Sequence, residues 1–420
     1  MDSDKFIITG GKRLEGSVEI SGAKNSALSI MAATLLTKDV CILRNIPHLT
    51  DVDTMIAVIR KLGIKVEWKE DNTLYIDSDY FNNYEAPYEL VKKMRASILV
   101  MGPLLARLNK AKISLPGGCA IGARPVDFHI KGFETLGAQV EVEKGYIKAE
   151  VNKLRGGDIY LDFPSLGATE NIMMAASLAE GVTKIENAAK DPEVVELGNF
   201  LIKMGAKIEG LGTDLIKING VKKLNGVDYN IIPDRIEAGT YMIAAAITSG
   251  DILIEKIDPL LIKPLIVKLE EAGVKIKQEK DFIEVIGPNS INAVDIKTLP
   301  YPGFPTDIQP QFMALSCVAK GTSVITETVF ENRFAHTGDL IRMGADIKVE
   351  GRSAIIKGVK KLSAAPVMAS DLRGGAALIL AGLVADGTTE LSRIYHLDRG
   401  YVNLEKKLTA LGADIHRVEE

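Results

Sequence analysis

The feature that most constrains this chain is one pattern that recurs six times along it. In each copy, a helical apolar pattern ends at a glycine, and two strand patterns joined by a short polar turn follow. Glycine directly after a helical run signals a helix end, because it enters the left-handed region without a Cβ clash. The glycines are spaced 74, 68, 68, 71 and 68 residues apart, at Gly63, Gly137, Gly205, Gly273, Gly344 and Gly412. This spacing suits a small α/β subdomain and is too long for a solenoid repeat.

The copies share a second pattern, in which a polar segment precedes a run of small and apolar residues. The polar segments occupy residues 21–27, 93–97, 165–171, 233–239, 305–311 and 370–376. Runs such as ALSIMAATLL are apolar on nearly every side, so they predict buried helices. The polar segments therefore lie at predicted helix N-termini, whose unpaired N–H groups and partial positive charge bind anions.

The sixth copy ends after its first strand, and residues 6–10 resemble its missing second strand. The chain is therefore circularly permuted relative to its own repeat. We predict an α/β fold of two inside-out domains, each of three repeats whose buried helices are surrounded by sheets and outer helices. The first domain spans residues 22–231 and carries the Cys119 loop. The second combines residues 1–21 with 232–420, so the chain crosses between the domains twice.

Composition excludes several classes of function. The formal net charge of -4 gives no overall attraction to nucleic acid. Three cysteines without a CxxC pair, and only five histidines, argue against a disulfide framework and against a metal. The motifs of nucleoside triphosphate and dinucleotide sites are absent from the sequence, so we expect no cofactor. No signal peptide pattern or bilayer-length apolar run occurs, so we expect a cytoplasmic protein without membrane insertion.

The stretch at residues 115–127, LPGGCAIGARPVD, places Cys119 in a glycine-rich loop five residues before Arg124. Near a cation, an exposed thiol has a lowered pKa and becomes reactive. A surface cysteine in a turn fits the residues equally well, so both interpretations stay open at this point.

The polar segments carry cations and acids at Lys24, Arg95, Arg235, Asp307, Asp371 and Arg373. Any one of these is well explained as a helix cap or a solvated charge. Their recurrence predicts a cleft between the two domains for a strongly anionic small substrate. Arg333 in FENRF and Arg399 in HLDRG add two planar donors suited to carboxylate or phosphate. His129 and His396 are expected to be structural.

The motifs SGAKNSAL, LPGGCAIGARPVDFH, FPTDIQPQ, TETVFENRF, DLRGGAAL and RIYHLDRGY together resemble those of the enolpyruvyl transferases. The resemblance runs over essentially the whole chain, and the family fold is two inside-out α/β domains of three repeats each. The cysteine loop is typical of the branch that acts on UDP-N-acetylglucosamine, and the sister shikimate-pathway enzyme lacks it.

This resemblance implies that the enolpyruvyl group of phosphoenolpyruvate is transferred to the 3-hydroxyl of UDP-N-acetylglucosamine, with release of phosphate. That reaction is the first committed step of peptidoglycan synthesis, and the epoxide phosphonate fosfomycin inhibits the family. We expect a monomer, and either of two paralogues fits. Two alternatives remain: a shikimate-type enolpyruvyl transferase, and a noncatalytic binding protein with the same fold.

The resemblance also implies roles for individual residues. Cys119 is the acid toward the enolpyruvate methylene and can bond to it covalently, Asp307 is the base for the sugar hydroxyl, and Lys24 and Arg399 complete the catalytic set. The expected phosphoenolpyruvate contacts are Lys24, Asn25, Arg124, Arg373 and Arg399. The expected nucleotide-sugar contacts are Asn25, Arg95, Arg124, Pro125, Val126, Asp127, Ser165, Leu166, Gly167, Asp307 and Val329, with Arg333 and Asp371 in support. One departure is Phe163, where some relatives carry a lysine, so contacts to the nucleotide are expected to differ there.

Overall fold

The computed structural model describes residues 4–115 and 126–419. All six repeat glycines have positive φ angles, between 90° and 110°, and each is followed by a strand that begins two residues later. The sequence prediction of six helix ends followed by strands is therefore confirmed. A side chain at these positions would be strained, which is why glycine recurs there.

Within the described ranges, each repeat contributes short strands with alternating burial. In chain order, the strands are β1 Lys5–Thr9, β2 Glu15–Glu19, β3 Cys41–Arg44, β4 Lys65–Glu70, β5 Thr73–Asp77, β6 Glu85–Ala86, β7 Lys110–Ser114, β8 Gln139–Glu143, β9 Tyr146–Glu150, β10 Asp158–Tyr160, β11 Val182–Glu186, β12 Lys207–Glu209, β13 Leu215–Asn219, β14 Asp228–Asn230, β15 Asp251–Glu255, β16 Lys275–Gln278, β17 Phe282–Ile286, β18 Ile296–Lys297, β19 Thr322–Thr326, β20 Asp346–Glu350, β21 Ser353–Lys357, β22 Pro366–Met368, β23 Thr388–Ser392 and β24 Asp414–Val418.

The helices alternate between inner helices, which follow the polar segments, and outer helices, which precede the repeat glycines. In chain order, they are α1 Lys24–Ala33, α2 Thr50–Lys61, α3 Tyr88–Val91, α4 Met101–Leu108, α5 Asp127–Thr135, α6 Leu166–Ala176, α7 Pro192–Met204, α8 Arg235–Ile247, α9 Lys263–Glu271, α10 Gln309–Ser316, α11 Thr337–Arg342, α12 Leu372–Val384 and α13 Leu404–Ala410. Short 3-10 helices cover Thr34–Leu36, Arg95–Val100, Pro259–Ile262, Thr306–Ile308 and Ile394–Arg399.

Six four-stranded sheets lie in these ranges, and all have the same plan. The orders are β14-β3-β5-β4, β6-β7-β9-β8, β10-β11-β13-β12, β2-β15-β17-β16, β18-β19-β21-β20 and β22-β23-β1-β24. In each sheet the first pair of strands is parallel and the other two pairs are antiparallel. The common strand order shows that the six sequence copies are six copies of one structural unit.

The N-terminal strand β1 completes the sheet of the sixth repeat. It pairs antiparallel with β24 over Lys5–Thr9 and antiparallel with β23 on its other side. β2 likewise joins β15, in the sheet of the fourth repeat. The circular permutation predicted from the repeat is therefore confirmed.

Among the described residues, contacts divide the chain into two compact units. The first unit contains residues 22–115 and 126–232, and the second contains residues 4–21 and 233–419. The chain passes between them at residues 21–22 and 232–233.

In the second unit, the inner helices α8, α10 and α12 contact one another in pairs. Every residue of α8 and α10 is buried, as is all of α12 except Val384. Strand side chains such as Ile254, Ile325 and Leu391 belong to the same apolar cluster. Helices without a polar face therefore lie inside a wall of sheets, as predicted.

Two polar segments differ in detail from the prediction of a direct α-helix start. The segment at 93–97 leads into a 3-10 helix, and α4 begins only at Met101. The segment at 305–311 contains the 3-10 turn Thr306–Ile308 before α10. Such tighter turns are frequent at helix N-termini, where the first N–H groups lack partners within the helix. None of the helices in the described ranges has both the length and the apolar character to cross a bilayer.

We predict that Phe6→Ala will lower the free energy of unfolding by about 3–5 kcal/mol, the range for emptying a buried aromatic site. Phe6 lies in β1 with 1% of its surface exposed, between β23 and β24. Urea unfolding measures the change. The control is Ile7→Ala in the same strand, where the side chain is only partly buried. Equal losses in the two variants would contradict a core role for β1.

Candidate active site

Asp307 lies between two arginines of the second unit. Its Oδ1 accepts a hydrogen bond from Nη2 of Arg333 at 2.7 Å, and its Oδ2 accepts one from Nη2 of Arg373 at 3.2 Å. The arginine side chains are only 2% and 4% exposed, whereas that of Asp307 is 29% exposed. Two buried cations therefore flank one accessible carboxylate.

Each of these arginines has a buried donor that meets no acceptor among the described residues. The atoms are Nε of Arg333 and Nη1 of Arg373. Buried donors in native proteins are nearly always satisfied, so those that are not often mark a ligand or water position. An anion bound here would take up both donors.

Asp371 holds the start of the inner helix α12. Its Oδ1 accepts from the N–H groups of Arg373 and Gly374 at 2.9 and 3.1 Å. Burial raises the pKa of Asp371, but the charge of Arg333 and the Gly374 N–H outweigh burial and lower it. Burial likewise lowers the pKa of Arg373, but the charges of Asp307, Tyr401 and Asp234 and a hydrogen bond with Tyr401 together reverse this and raise it. Asp371 and Arg373 are therefore both charged at neutral pH.

A polar network supports this group from inside the unit, and the sequence analysis did not identify it. Gln311 Nε2 donates to the backbone oxygen of Asp307 at 3.0 Å and to the hydroxyl of Tyr401 at 3.2 Å. That hydroxyl and Thr240 Oγ1 are 2.8 Å apart, and the guanidinium of Arg373 lies 5.6 Å from the Tyr401 ring centroid. Gln311 lies in the polar segment 305–311 and Tyr401 in the RIYHLDRGY motif, but the sequence does not indicate that the two side chains meet.

Two further predicted residues lie in this unit. Arg399 ends the 3-10 helix Ile394–Arg399, which contacts α12. Burial and the charge of Arg399 together lower the pKa of His396, while Asp371 acts in the opposite direction. Val329 donates its N–H to Oε1 of the buried Glu327 at 2.8 Å.

In the first unit, Lys24 is the first residue of α1, and its Nζ lies 3.4 Å from Oδ2 of Asp51. The two side chains are 12% and 4% exposed. Asn25 follows in the first turn of α1 and is partly buried. The pair between Lys24 and Asp51 fixes a largely desolvated ammonium group at the N-terminus of an inner helix.

Several predicted nucleotide-sugar contacts of the first unit lie near His129. Burial lowers the pKa of His129 to about 3, and the charge of Arg95 adds to this effect. A Cβ placed on Gly167 would lie 3.6 Å from Cε1 of His129, and Ser165 caps the same helix, α6. The neutral ring is held by Asn171, whose Nδ2 is 3.1 Å from Nδ1. Arg95 and the start of α6 are therefore near neighbours, as a shared ligand requires.

Three other predicted nucleotide-sugar contacts of the first unit lie at the starts of helices. Leu166 is the first residue of α6, and Asp127 is the first residue of α5, with Val126 directly before it. The departure Phe163 is 39% exposed.

The predicted residues Cys119, Arg124 and Pro125 lie outside the described residues. The other two cysteines, Cys41 and Cys317, are buried. Burial raises the pKa of Cys41 to about 11 and that of Cys317 to about 12.

A surface groove of about 690 Å³ opens elsewhere in the second unit, beside α9. Its walls include Leu260, Lys263, Val267, Lys297 and Tyr301. None of the predicted site residues lines this groove.

Glu196 is a buried acid behind α1 that the sequence analysis did not identify. It lies in α7, is 3% exposed, and its Oε1 accepts the N–H of Ile232 at 2.7 Å. Burial raises the pKa of Glu196 from 4.5 to about 7. The unfolded chain therefore loses this proton at a lower pH than the folded chain, so stability falls as pH rises from 4.5 to about 7.

We predict that Glu196→Gln will stabilise the protein by about 3 kcal/mol at pH 8 and have little effect near pH 4.5, because glutamine mimics the protonated acid. Urea unfolding across this pH range measures the difference. Glu209→Gln, at an exposed position in β12, is the control and should leave the pH dependence unchanged. An equal effect of Glu196→Gln at both pH values would contradict the raised pKa.

Comparison with known proteins shows to which family the chain is similar. The family model described as EPSP synthase (3-phosphoshikimate 1-carboxyvinyltransferase) matches residues 8–408. A UDP-N-acetylglucosamine 1-carboxyvinyltransferase 1 from Caldanaerobacter subterraneus is 60% identical over 98% of this chain and 99% of that protein. A UDP-N-acetylglucosamine 1-carboxyvinyltransferase from Desulfosudis oleivorans is 57% identical over 99% of both chains.

Solved structures agree on the fold. The enolpyruvyl transferase NikO from Streptomyces tendae aligns with a TM-score of 0.90 at 24% identity, over 100% of this chain and 99% of that one. An EPSP synthase from Acinetobacter baumannii aligns with a TM-score of 0.77 at 19% identity, over 99% and 100%. At these identities the likeness shows the fold alone, and it confirms the α/β architecture predicted from the repeats. The chain belongs to the EPSP synthase family of enolpyruvyl transferases, on the branch of the UDP-N-acetylglucosamine 1-carboxyvinyltransferases.

Proposed function

We propose that this protein transfers the enolpyruvyl group of phosphoenolpyruvate to the 3-hydroxyl of UDP-N-acetylglucosamine and releases phosphate, as the first committed step of peptidoglycan synthesis. The observation that carries the proposal is the 60% identity, over 98% of the chain, to an enzyme named for this transfer. The two buried arginines beside Asp307 support the proposal. Each has one unsatisfied donor, and both substrates are anions.

Lys24, Asn25, Arg124, Arg373 and Arg399 are the proposed contacts to phosphoenolpyruvate. Fixed cations contribute most to catalysis when they are already in place before charge develops. Arg373 is in place through its bond to Asp307, and Lys24 through its pair with Asp51. Arg95, Val126, Asp127, Ser165, Leu166, Gly167 and Val329 are the proposed contacts to the nucleotide sugar, together with Arg124, Pro125, Asn25 and Asp307.

Asp307 is the proposed base for the sugar hydroxyl. Each of its oxygens accepts one arginine hydrogen bond, and a carboxylate oxygen has a second lone pair. With 29% of its side chain exposed, Asp307 is accessible to substrate. Arg333 and Asp371 have supporting roles, since Arg333 bonds Asp307 and Asp371 caps the helix that carries Arg373.

Cys119 is the proposed acid for the methylene carbon of phosphoenolpyruvate. The sugar oxygen bonds to C2 of phosphoenolpyruvate while C3 gains a proton from the thiol. Loss of phosphate from C2 and of a proton from C3 then restores the double bond in the product ether. The reaction needs no cofactor, because no electrons leave or enter the two substrates.

A phosphate-release assay tests the proposal. Release from phosphoenolpyruvate should require UDP-N-acetylglucosamine, and shikimate 3-phosphate should not replace it. Release of phosphate with shikimate 3-phosphate would favour the shikimate-type alternative. If neither acceptor leads to any release of phosphate, a noncatalytic binding protein would be favoured. The proposal also makes the protein a cytoplasmic monomer, which light scattering and cell fractionation test.

We predict that Asp307→Asn will lower turnover at least about a hundredfold, the low end for general base catalysis, while both substrates still bind. Asparagine keeps the side-chain shape but cannot take a proton. The assay is phosphate release at saturating substrates, with calorimetry for binding. Asp346→Asn, at an exposed carboxylate in β20 of the same unit, is the control and should retain full turnover. Near-normal turnover of Asp307→Asn would remove Asp307 from the base role.

We predict that fosfomycin will alkylate Cys119 and leave Cys41 and Cys317 unmodified. Only a thiolate attacks the epoxide, and burial raises the pKa of the other two thiols to about 11 and about 12. Peptide mapping by mass spectrometry locates the adduct. Cys119→Ser should lose both the adduct and most activity. Labelling of Cys41 or Cys317 at a similar rate would refute the selectivity.

A further inference from the structure

Glu327 is a buried carboxylate to which the proposed mechanism gives no role. It follows β19 directly and is 1% exposed. Its Oε1 accepts hydrogen bonds from Thr298 Oγ1 at 2.7 Å, from the N–H of Val329 at 2.8 Å and from the N–H of Phe330 at 3.2 Å. Its Oε2 accepts one from Thr306 Oγ1 at 3.0 Å. Both oxygens are thus used, and all four donors are neutral.

Three of these donors, those of Thr306, Val329 and Phe330, come from two segments that meet at Asp307. Thr306 opens the 3-10 turn whose next residue is Asp307. Val329 and Phe330 begin the loop that leads to Arg333, which donates to Asp307 at 2.7 Å. Glu327 therefore connects the segment carrying the proposed base with the segment carrying its arginine partner and the proposed contact at Val329.

A second set of bonds joins the segment after β19 to Thr298, which follows β18. Thr328 donates its N–H to Thr298 Oγ1 at 3.0 Å, and its own hydroxyl donates to the Thr298 carbonyl at 2.6 Å. Thr298 Oγ1 therefore accepts from Thr328 while it donates to Glu327, so its proton direction is fixed. The acceptor that orients this hydroxyl is the carboxylate.

Burying the Glu327 carboxyl group without an ion-pair partner costs desolvation free energy. No lysine or arginine of the described ranges forms an ion pair with Glu327, so neutral hydrogen bonds alone offset its desolvation. An apolar side chain would fill the space at lower cost, but it would leave two N–H groups and two hydroxyls without acceptors. A carboxylate accepts from all four donors. A glutamine side chain keeps an oxygen for three of them, and its amide can donate to the fourth, Thr306 Oγ1.

We propose that Glu327 is a positioning residue, which sets Asp307 and Val329 relative to each other through Thr306 and the 329–330 N–H groups. The inference rests on the function proposed above. It assigns Glu327 no proton transfer and no contact with substrate. Misplacing a reacting group by about 1 Å costs about a hundredfold in rate, so the loss of such a residue is visible in turnover.

Two variants separate acceptor geometry from charge. Glu327→Gln keeps an oxygen for Thr298, Val329 and Phe330, and its amide can donate to Thr306 Oγ1. It should retain kcat and both KM values within about threefold. Glu327→Ala should lower kcat about a hundredfold. It should also raise the KM for UDP-N-acetylglucosamine more than the KM for phosphoenolpyruvate, because only the nucleotide-sugar site includes Val329.

A readout independent of activity accompanies the kinetics. Hydrogen exchange at the Val329 and Phe330 amides should be slow in the wild type and in Glu327→Gln, and fast in Glu327→Ala. Phe6→Ala is the control, since Phe6 lies in the sheet of the sixth repeat, whereas Glu327 follows β19 in the sheet of the fifth. It should leave kcat and these two amides unchanged at a temperature where the protein stays folded.

The outcomes are distinguishable. Unchanged kinetics in Glu327→Ala, or equal failure of the glutamine and alanine variants, would overturn the inference. If Glu327→Ala does not fold, Thr306→Val removes one donor, and it must show the same uneven change in KM, or the inference is wrong. If the wild type itself lacks turnover with both substrates, the proposed function fails, and the exchange rates still decide whether Glu327 holds the two segments.

Discussion

A helix that is apolar on every side can present polar groups only at its ends, and the arrangement of this molecule follows from that constraint. The inner helices α8, α10 and α12 need apolar neighbours all round, which three sheets of the second unit provide. Their N-termini are then the places where charged side chains can be held. Asp307 and Arg373 both lie at such starts, and Lys24 has the same position on α1 in the first unit. The fold thus concentrates anion-binding groups as a by-product of burying its helices.

The charged group at these helix starts differs from an ordinary structural ion pair. A structural pair needs one cation for one carboxylate, whereas Asp307 has two buried arginines and is itself partly open to solvent. Burying two guanidinium groups is costly unless their donors are used, and two donors are not used by any described residue. Unused buried donors of this kind mark a candidate ligand position rather than a finished ion pair of the core.

Much of this was predictable from the sequence, because it depends on local rules. Backbone preferences predict the six glycines at helix ends and the strands after them. The length of the sequence repeat predicts that β1 belongs to the sheet of the last repeat. The 3-10 turns at Arg95 and Asp307 were missed, since apolar spacing does not distinguish them from α-helix starts. Glu196 and Glu327 were missed for another reason: their significance comes from burial and from partners distant in sequence. The pairing of Asp307 with Arg333 and Arg373 also needed three dimensions, although each residue was a candidate on its own.

Because β1 pairs with β24, the two units can complete their sheets at different times during synthesis. All strands of the first unit lie within residues 22–232, so its sheets can form while the rest of the chain is still being made. The sheet of the sixth repeat joins Lys5–Thr9 to Asp414–Val418, one of the longest sequence separations the chain allows. At ribosomal rates of about 5–20 residues per second, β1 leaves the ribosome about 20–80 s before its partner exists. Throughout that interval β1 lacks this partner, so the sheet of the sixth repeat closes only after Asp414–Val418 has been made.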